Sequence, residues 1–360
     1  MALLPVPTAM SDSCLLPQFD AREAAELARR LFALEGPLKL LNGERDLNFL
    51  ISDERGKFVF KIANAEESEA TLDCQHRVFE RLAAAKAFPL IARALPSLEG
   101  REIETVNDAQ GQQHFCRVLP FLEGRMWADF EISKAELLTD LGSQLAALDR
   151  ALDGFSHAGL ERALLWNMET TAIALEQYKP LLPGDDERRL IEHFEKNYRK
   201  QVLPLQQQLR RGVIHNDANR QNVIVDDSGS RVVSVIDFGD MIHTWLVLEP
   251  AIAAAYAMHG QPDPLACAQA VLSGYHGGLA LTGAEVDVVF DLICMRQCMS
   301  VCLGAYQQKL EHDNVYLSID RNESRDMLEY LQGFEHAEIR EMMRSACASA
   351  PLREPSRETS

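Results

Sequence analysis

In "VIHNDANRQNVIVDDSGSRVVSVIDFGD", residues 213–240, acidic and amide side chains stand at the ends of short apolar runs. Residues 223–225 and 231–236 are rich in β-branched types and predict two strands. Between them, 226–230 is turn chemistry in which Gly229 can take positive φ. A hairpin of this kind brings its two ends together. Asp217 and Asn222 precede the first strand and Asp237 follows the second, so three oxygen-bearing side chains converge. Such a set suits a hard cation, because Mg2+ takes one or two carboxylates and fills its other positions with water and phosphate oxygens. Lys61 closes "KFVFKIA", an apolar strand-like run. A lysine there needs an anionic partner or must reach out to solvent. Together with the three hairpin groups it fits the clamping of nucleotide phosphates.

The elements that must hold these groups divide the chain in two. Residues 20–34 carry apolar positions at helical spacing behind Asp20 as N-cap. "LKLLNGERDLNFLISDERGKFVFKIAN" reads as three short strands separated by turn signals at 42–43 and 53–56. A helix over 66–86 presents Gln75, Val78, Phe79 and Leu82 on one face. Two further strands follow, joined by a loop at 107–111. Beyond Gly124 helices dominate, at 134–153, 165–178, 186–212, 249–259, 263–276, 283–309 and 324–348, with the hairpin as the one β element among them.

The expected fold is α+β and two-lobed. A flexible start (1–18) leads into a small five-stranded lobe with one packed helix (19–118). A connector (119–124) then leads to a helical lobe carrying the catalytic hairpin (125–350), and the polar tail (351–360) is disordered. The cleft between the lobes is the expected binding site.

Composition narrows the partners. A net charge of −18 argues against nucleic acid or an anionic membrane surface, and it suits a small cationic substrate. No run approaches the roughly twenty apolar residues of a membrane span, and the start has neither a basic segment nor an unbroken apolar one. Eight cysteines without framework spacing read as reduced thiols of a cytoplasmic protein. Cys294, Cys298 and Cys302 share one helical stripe with no neighbouring histidine, which reads as core packing rather than a metal set.

The order His-x-Asp-x-x-x-x-Asn followed by Asp-Phe-Gly resembles the catalytic pattern of the protein-kinase-like fold. A protein kinase would continue into a long activation segment ending in Ala-Pro-Glu; here "DMIHTWLVLEPAIAAAYAM" runs straight into a helix. No Gly-x-Gly-x-x-Gly loop is present, only Gly43 in "NGERDLNFLI". In both respects the chain is similar to the aminoglycoside phosphotransferase family of small-molecule kinases, over roughly residues 19–343. The strings "LLWNM", "IDFGDM", "LEPAIAAAYAM" and "MRQCMSVCLGAY" place the resemblance nearest members acting on 5-hydroxylysine.

The resemblance implies a role for each matching residue. Asp217 receives or orients the acceptor hydroxyl proton, and Asn222 and Asp237 hold Mg2+. Lys61, with Asn48 nearby, contacts the phosphates of GTP or ATP, and His215 braces the loop. Where a lysine partner is expected to be glutamate, the helix offers Gln75, with Asp73 and Glu69 to its sides. In "RVLPFLEG", Pro120 has no N–H, so Leu119, Phe121 or Leu122 should donate to the base. Asp240, Arg296 and Trp166 are the acceptor candidates, with a second metal-shell contact the alternative for Asp240. Arg296, set in a mainly apolar helix, needs a partner. The choices are a structural pair with an acid such as Glu249 or Asp240, or the carboxylate of an amino-acid acceptor. The implied function is phosphoryl transfer from nucleotide to a small amino-bearing alcohol. Another amino alcohol or an aminoglycoside, or an inactive nucleotide-binding relative, are the competing possibilities.

Overall fold

Phe58, Phe60 and Ile62 alternate along one strand with Lys57, Val59 and Lys61, and this period of two sets the two faces of a sheet. A computed structural model describes residues 17–41, 43, 45–310 and 315–350. The expected flexible start up to residue 16, Asn42 of the first turn, and the tail all lie outside the described residues. Of the described residues, those up to Glu123 together with Ser156–Arg162 form one compact unit, and Gly124–Phe155 with Ala163 onward form another.

The first unit opens with helix α1 (Ala21–Phe32), whose Asp20 cap is reciprocated by Glu23 in a capping box. Strands β1 (Leu38–Leu41), β2 (Leu47–Asp53) and β3 (Gly56–Ile62) follow, then helix α2 (Glu69–Ala85), β4 (Glu104–Asn107) and β5 (Gln113–Pro120). The five strands form one antiparallel sheet in the order β1-β2-β3-β5-β4. Ala24, Ala28 and Phe32 of α1 pack on Phe49, Ile51, Phe60, Ile62, Cys116 and Val118 to make the core of this unit. The expected turn glycine is required by closeness. A Cβ on Gly43 would fall 2.4 Å from the Asp46 carbonyl oxygen.

The second unit contains β6 (Arg125–Met126), α3 (Ala135–Ala151), α4 (Thr171–Tyr178), α5 (Asp185–Gln201), β7 (Arg211–Ile214), β8 (Val223–Val225), β9 (Val232–Val235) and β10 (Ile242–Trp245). It ends with α6 (Leu248–Ala257), α7 (Pro264–Gly278), α8 (Gly283–Leu310), α9 (Val315–Gln332) and α10 (His336–Ala348). Gly142 of α3 and Gly274 of α7 let these helices touch: a Cβ on Gly274 would lie 1.9 Å from the Thr139 carbonyl oxygen.

Several boundaries differ from the sequence reading. The helix expected over 186–212 ends at Gln201, and Pro204 opens a short 3-10 segment in its place. Residues 211–214 then form β7, which pairs with β10, so the hairpin is not the sole β element here. The helix expected over 165–178 begins only at Thr171, and the one expected over 324–348 is two helices parted at Gly333. Helix α8 also revises the hydropathy reading. Residues Gly283–Lys309 are long and apolar enough to cross a membrane, yet their most apolar window is wholly enclosed within the protein. A helix that is apolar around most of its circumference belongs in a core. Cys294, Cys298 and Cys302 are buried in it, as the stripe predicts.

Candidate active site

β7 leads into the loop of residues 215–222, and β8 and β9 form the predicted hairpin, with Val223 opposite Val235. The turn is closed by Asp226, whose Oδ1 accepts from the N–H groups of Ser230 (2.9 Å) and Arg231 (3.2 Å). Gly229 takes φ 62°, and its backbone presses so close to Phe130 that a Cβ would meet the ring at 2.5 Å. At the far end, Ile236 N–H donates to the Asn222 carbonyl at 2.9 Å, which seats Asp237 beside Asn222. Asn216 (φ 68°) and Asp237 (φ 62°) both adopt the left-handed conformation that non-glycine residues rarely take. Such strain concentrates where a loop must aim side chains.

Asp217 is held from several sides. Its Oδ2 accepts from Asn222 Nδ2 at 2.8 Å and Asn219 Nδ2 at 3.0 Å, and its Oδ1 faces Arg296 Nη2 at 3.2 Å. Burial pushes the Asp217 carboxyl up, the Arg296 guanidinium opposes this, and the Asp240 and Asp237 carboxylates reinforce it. Asn222 Nδ2 also donates to the Asp217 carbonyl at 3.0 Å. With the amide nitrogen committed, the Oδ1 of Asn222 is the atom left to face a cation. Asp237 is exposed, and its Oδ1 accepts from Gly239 N–H at 3.3 Å. Among the described residues no group of three or more His, Cys, Asp and Glu side chains could hold a metal. An amide oxygen with one or two carboxylates still fits Mg2+ on a nucleotide, since water and phosphate supply the rest.

His215 is fully buried and braces the loop. Its Nε2 donates to the Ile236 carbonyl at 3.0 Å, its Nδ1 accepts from Asp217 N–H at 3.3 Å, and Phe238 packs edge-on against the ring. That pattern assigns the neutral Nε2–H tautomer, and burial lowers the ring's pKa in the same sense. Beneath it, Glu249 at the start of α6 accepts from the His215 N–H, with Asn216 N–H also bonded to its carboxyl. Burial raises the Glu249 pKa to about 7. A raised carboxyl binds more protons folded than unfolded between its ordinary 4.5 and about 7, so stability falls as pH climbs through that window. The melting temperature of the native chain should therefore fall relative to that of Glu249→Gln between those pH values. Parallel melting curves would remove Glu249 as the source.

Arg296 corrects the sequence reading. Neither Glu249 nor Asp240 is its ion-pair partner; the guanidinium bonds Asp217 and, at 2.8 Å, the Tyr256 hydroxyl. It lies over the rings of Trp166 (4.5 Å to the centroid) and Tyr256 (5.3 Å). Its Nε and Nη1 are enclosed without a hydrogen-bond partner, a condition costing about 1–3 kcal/mol per group and more for a charged one. Asp240 sits half-buried in the turn Phe238–Asp240, near enough to act on Asp217 and Arg296 through its charge.

In the other unit, Lys61 stands opposite Asn48 of β2 and Arg117 of β5, on the sheet face away from α1. Its side chain makes no hydrogen bond or ion pair among the described residues. Gln75 does not serve it: the amide oxygen accepts from Arg117 Nη2 at 2.5 Å. Asp73 is engaged by Arg77 and His157, and Glu69 stands exposed at the first turn of α2. Arg117, a buried cation beside Lys61, escaped the sequence reading because nothing in "FCRVLP" sets it apart from an ordinary strand residue.

The connector is also narrowed. Phe121 N–H donates to the Lys57 carbonyl at 2.9 Å and Ala63 N–H to the Phe115 carbonyl at 2.8 Å. Alternation along an antiparallel ladder makes Val59–Leu119 a bonded pair as well. Leu119 and Phe121 therefore have no N–H to offer a base, which leaves Leu122 of the three expected donors. The Leu122 N–H and the Pro120 carbonyl are the groups the ladder leaves over. A hollow of about 510 Å³ on α7 and α10, lined by Gln269, Glu338, Glu341 and Met342, lies outside all of this and gathers no catalytic group.

A loop carboxylate held by two asparagines in one unit, and in the other a lysine on the central strand of the sheet, are features of the class of small-molecule kinases. The chain belongs to the APH phosphotransferase enzyme family, whose model matches residues 38–284. Among curated relatives, the hydroxylysine kinases of Mus musculus and Bos taurus are each 27% identical over 328 residues, covering 84% of this chain and 86% of theirs. That of Danio rerio is 28% identical over 304 residues, covering 81% and 84%. Solved structures share the kinase-like fold. An amicoumacin kinase in complex with AMP-PNP and Ca2+ superposes with a TM-score of 0.68 at 17% identity, covering 89% of this chain and 97% of its own. A microcompartment-associated aminopropanol kinase gives 0.66 at 17% identity, covering 93% and 99%. The α+β kinase-like architecture expected from the sequence is thus borne out.

Proposed function

We propose that this chain transfers the γ-phosphoryl group of GTP or ATP to the hydroxyl of a small amino-bearing alcohol, with 5-hydroxylysine as the acceptor. The observation that carries the reading is Asp217, a carboxylate held at the head of the catalytic loop by Asn219, Asn222 and Arg296. The curated relatives, named hydroxylysine kinase and covered over most of their length, support the acceptor. In this reading Asp217 takes or steers the acceptor's hydroxyl proton as its oxygen attacks. Asn222 Oδ1 and the Asp237 carboxylate hold a divalent cation, which when bound neutralises charge on the transferring phosphoryl group. Lys61 reaches the nucleotide phosphates, and Arg117 beside it keeps Gln75 in place. The Leu122 N–H and the Pro120 carbonyl read the edge of the base. Asp240 receives an ammonium of the acceptor.

A cytoplasmic setting belongs to the same proposal, supported by seven described cysteines that are all free. No nucleic acid or membrane partner enters it. The test is an acceptor panel with purified protein, Mg2+ and either GTP or ATP, following release of nucleoside diphosphate. Release that depends on 5-hydroxylysine supports the proposal. A preference for an aminoglycoside, or no release above water alone, would replace it.

A further inference from the structure

Arg296 is 2% exposed, yet only one of its terminal nitrogens is used. Nη2 serves both Asp217 and Tyr256, while Nε and Nη1 have no partner. The two aromatic faces offset the buried charge, but in-plane N–H donors are not satisfied by a ring stacked above them. One covering ring is Trp166, which differs from the other tryptophans. Trp127 and Trp245 are buried, and Trp127 has its N–H bonded to Ser133 Oγ at 2.8 Å. Trp166 is only half-buried and sits in the turn that Asn167 N–H closes on the Leu164 carbonyl. The polypeptide around it carries no regular element until Met168.

Two carboxylates act on Arg296 from nearby without bonding it: Asp240, and Asp320 from α9. Asp320 is exposed, and its carboxylate makes no hydrogen bond or ion pair among the described residues.

Resting on the acceptor reading above, we propose that Arg296 is the receptor for the acceptor's carboxylate, with Trp166 as the lid over its unpartnered N–H donors. An amino acid that carries the reactive hydroxyl then satisfies groups that a simple amino alcohol leaves bare, and Asp320 and Asp240 take its ammonium ends. A carboxylate arriving at Nη1 must lift or slide the Trp166 ring. Charge-assisted bonds to a planar guanidinium make the gain large enough to select one acceptor class over the other.

L-lysine and cadaverine separate this from the phosphoryl-transfer reading, because neither carries the 5-hydroxyl and only the first has a carboxylate. Calorimetry and tryptophan fluorescence on the full chain, with and without Mg-AMP-PNP, are the readouts. L-lysine should bind at least about thirtyfold more tightly than cadaverine, as expected for a buried charge gaining its partner. It should also change the fluorescence, and Trp166→Phe should bind L-lysine while losing that change. Equal affinities, no binding of L-lysine in either condition, or an unaltered fluorescence change in Trp166→Phe would overturn the proposal. Failure of hydroxylysine turnover with L-lysine selectivity intact would strike the kinase reading alone.

Discussion

Asp217→Asn should lower kcat by about 10³-fold, within the range a positioned general base contributes, while nucleotide affinity in the presence of Mg2+ stays within about threefold. The substitution keeps the side-chain volume and the hydrogen-bonding neighbours Asn219 and Asn222. What it removes is the carboxylate that takes or steers the acceptor proton. Arg296 loses its anionic partner at the same time, so the melting temperature is recorded beside turnover. Turnover within about tenfold of the native chain, too small a loss for a general base, would take Asp217 out of the chemistry.

Asp237→Ala acts on a different quantity. The Asp237 carboxylate is the anionic member of the pair proposed to hold the cation, and Asn222 supplies only a neutral oxygen. Several kcal/mol of charge neutralisation lost translates into about 10²-fold or more in kcat. Nucleotide affinity should also lose most of its dependence on Mg2+, read by calorimetry with and without the ion. Because Asp237 is exposed and outside the core, the fold should survive the change. A Mg2+-dependence of nucleotide binding equal to that of the native chain would move the metal to other residues.

The catalytic loop and hairpin were legible in the sequence because their geometry is local. The turn at Asp226–Gly229, the β-branched strands and the three oxygen donors fall within one short stretch, and strand pairing alone brings them together. The five-stranded sheet and α1 were legible for the same reason, through short strand-like runs between turn signals and an N-cap at Asp20. Long-range pairings were not. Arg296 meets Asp217 across 79 positions, and Gln75 meets Arg117 across 42. Residue type predicted that Arg296 needed a partner, but not which one, and gave no sign of Arg117. The donors of the connector depended on ladder register, since whether Leu119 or Leu122 has an unused N–H is decided by which residues face Lys57 and Val59. β7 and β10 are four residues each, too short for a period to distinguish a strand from the end of a helix. The hydropathy of α8 could say that the helix lies in an apolar medium, but only packing shows that the medium is the protein's own interior.

The central claim is transfer of phosphorus to the acceptor's hydroxyl oxygen, and ³¹P NMR of the complete reaction tests it most directly. Purified protein with Mg2+, GTP or ATP, and 5-hydroxylysine should convert the γ-phosphorus into a phosphate monoester coupled to the proton on carbon 5 of the acceptor. Appearance of the γ-phosphorus only as inorganic phosphate, or as a phosphoramidate on an amine, would contradict the account.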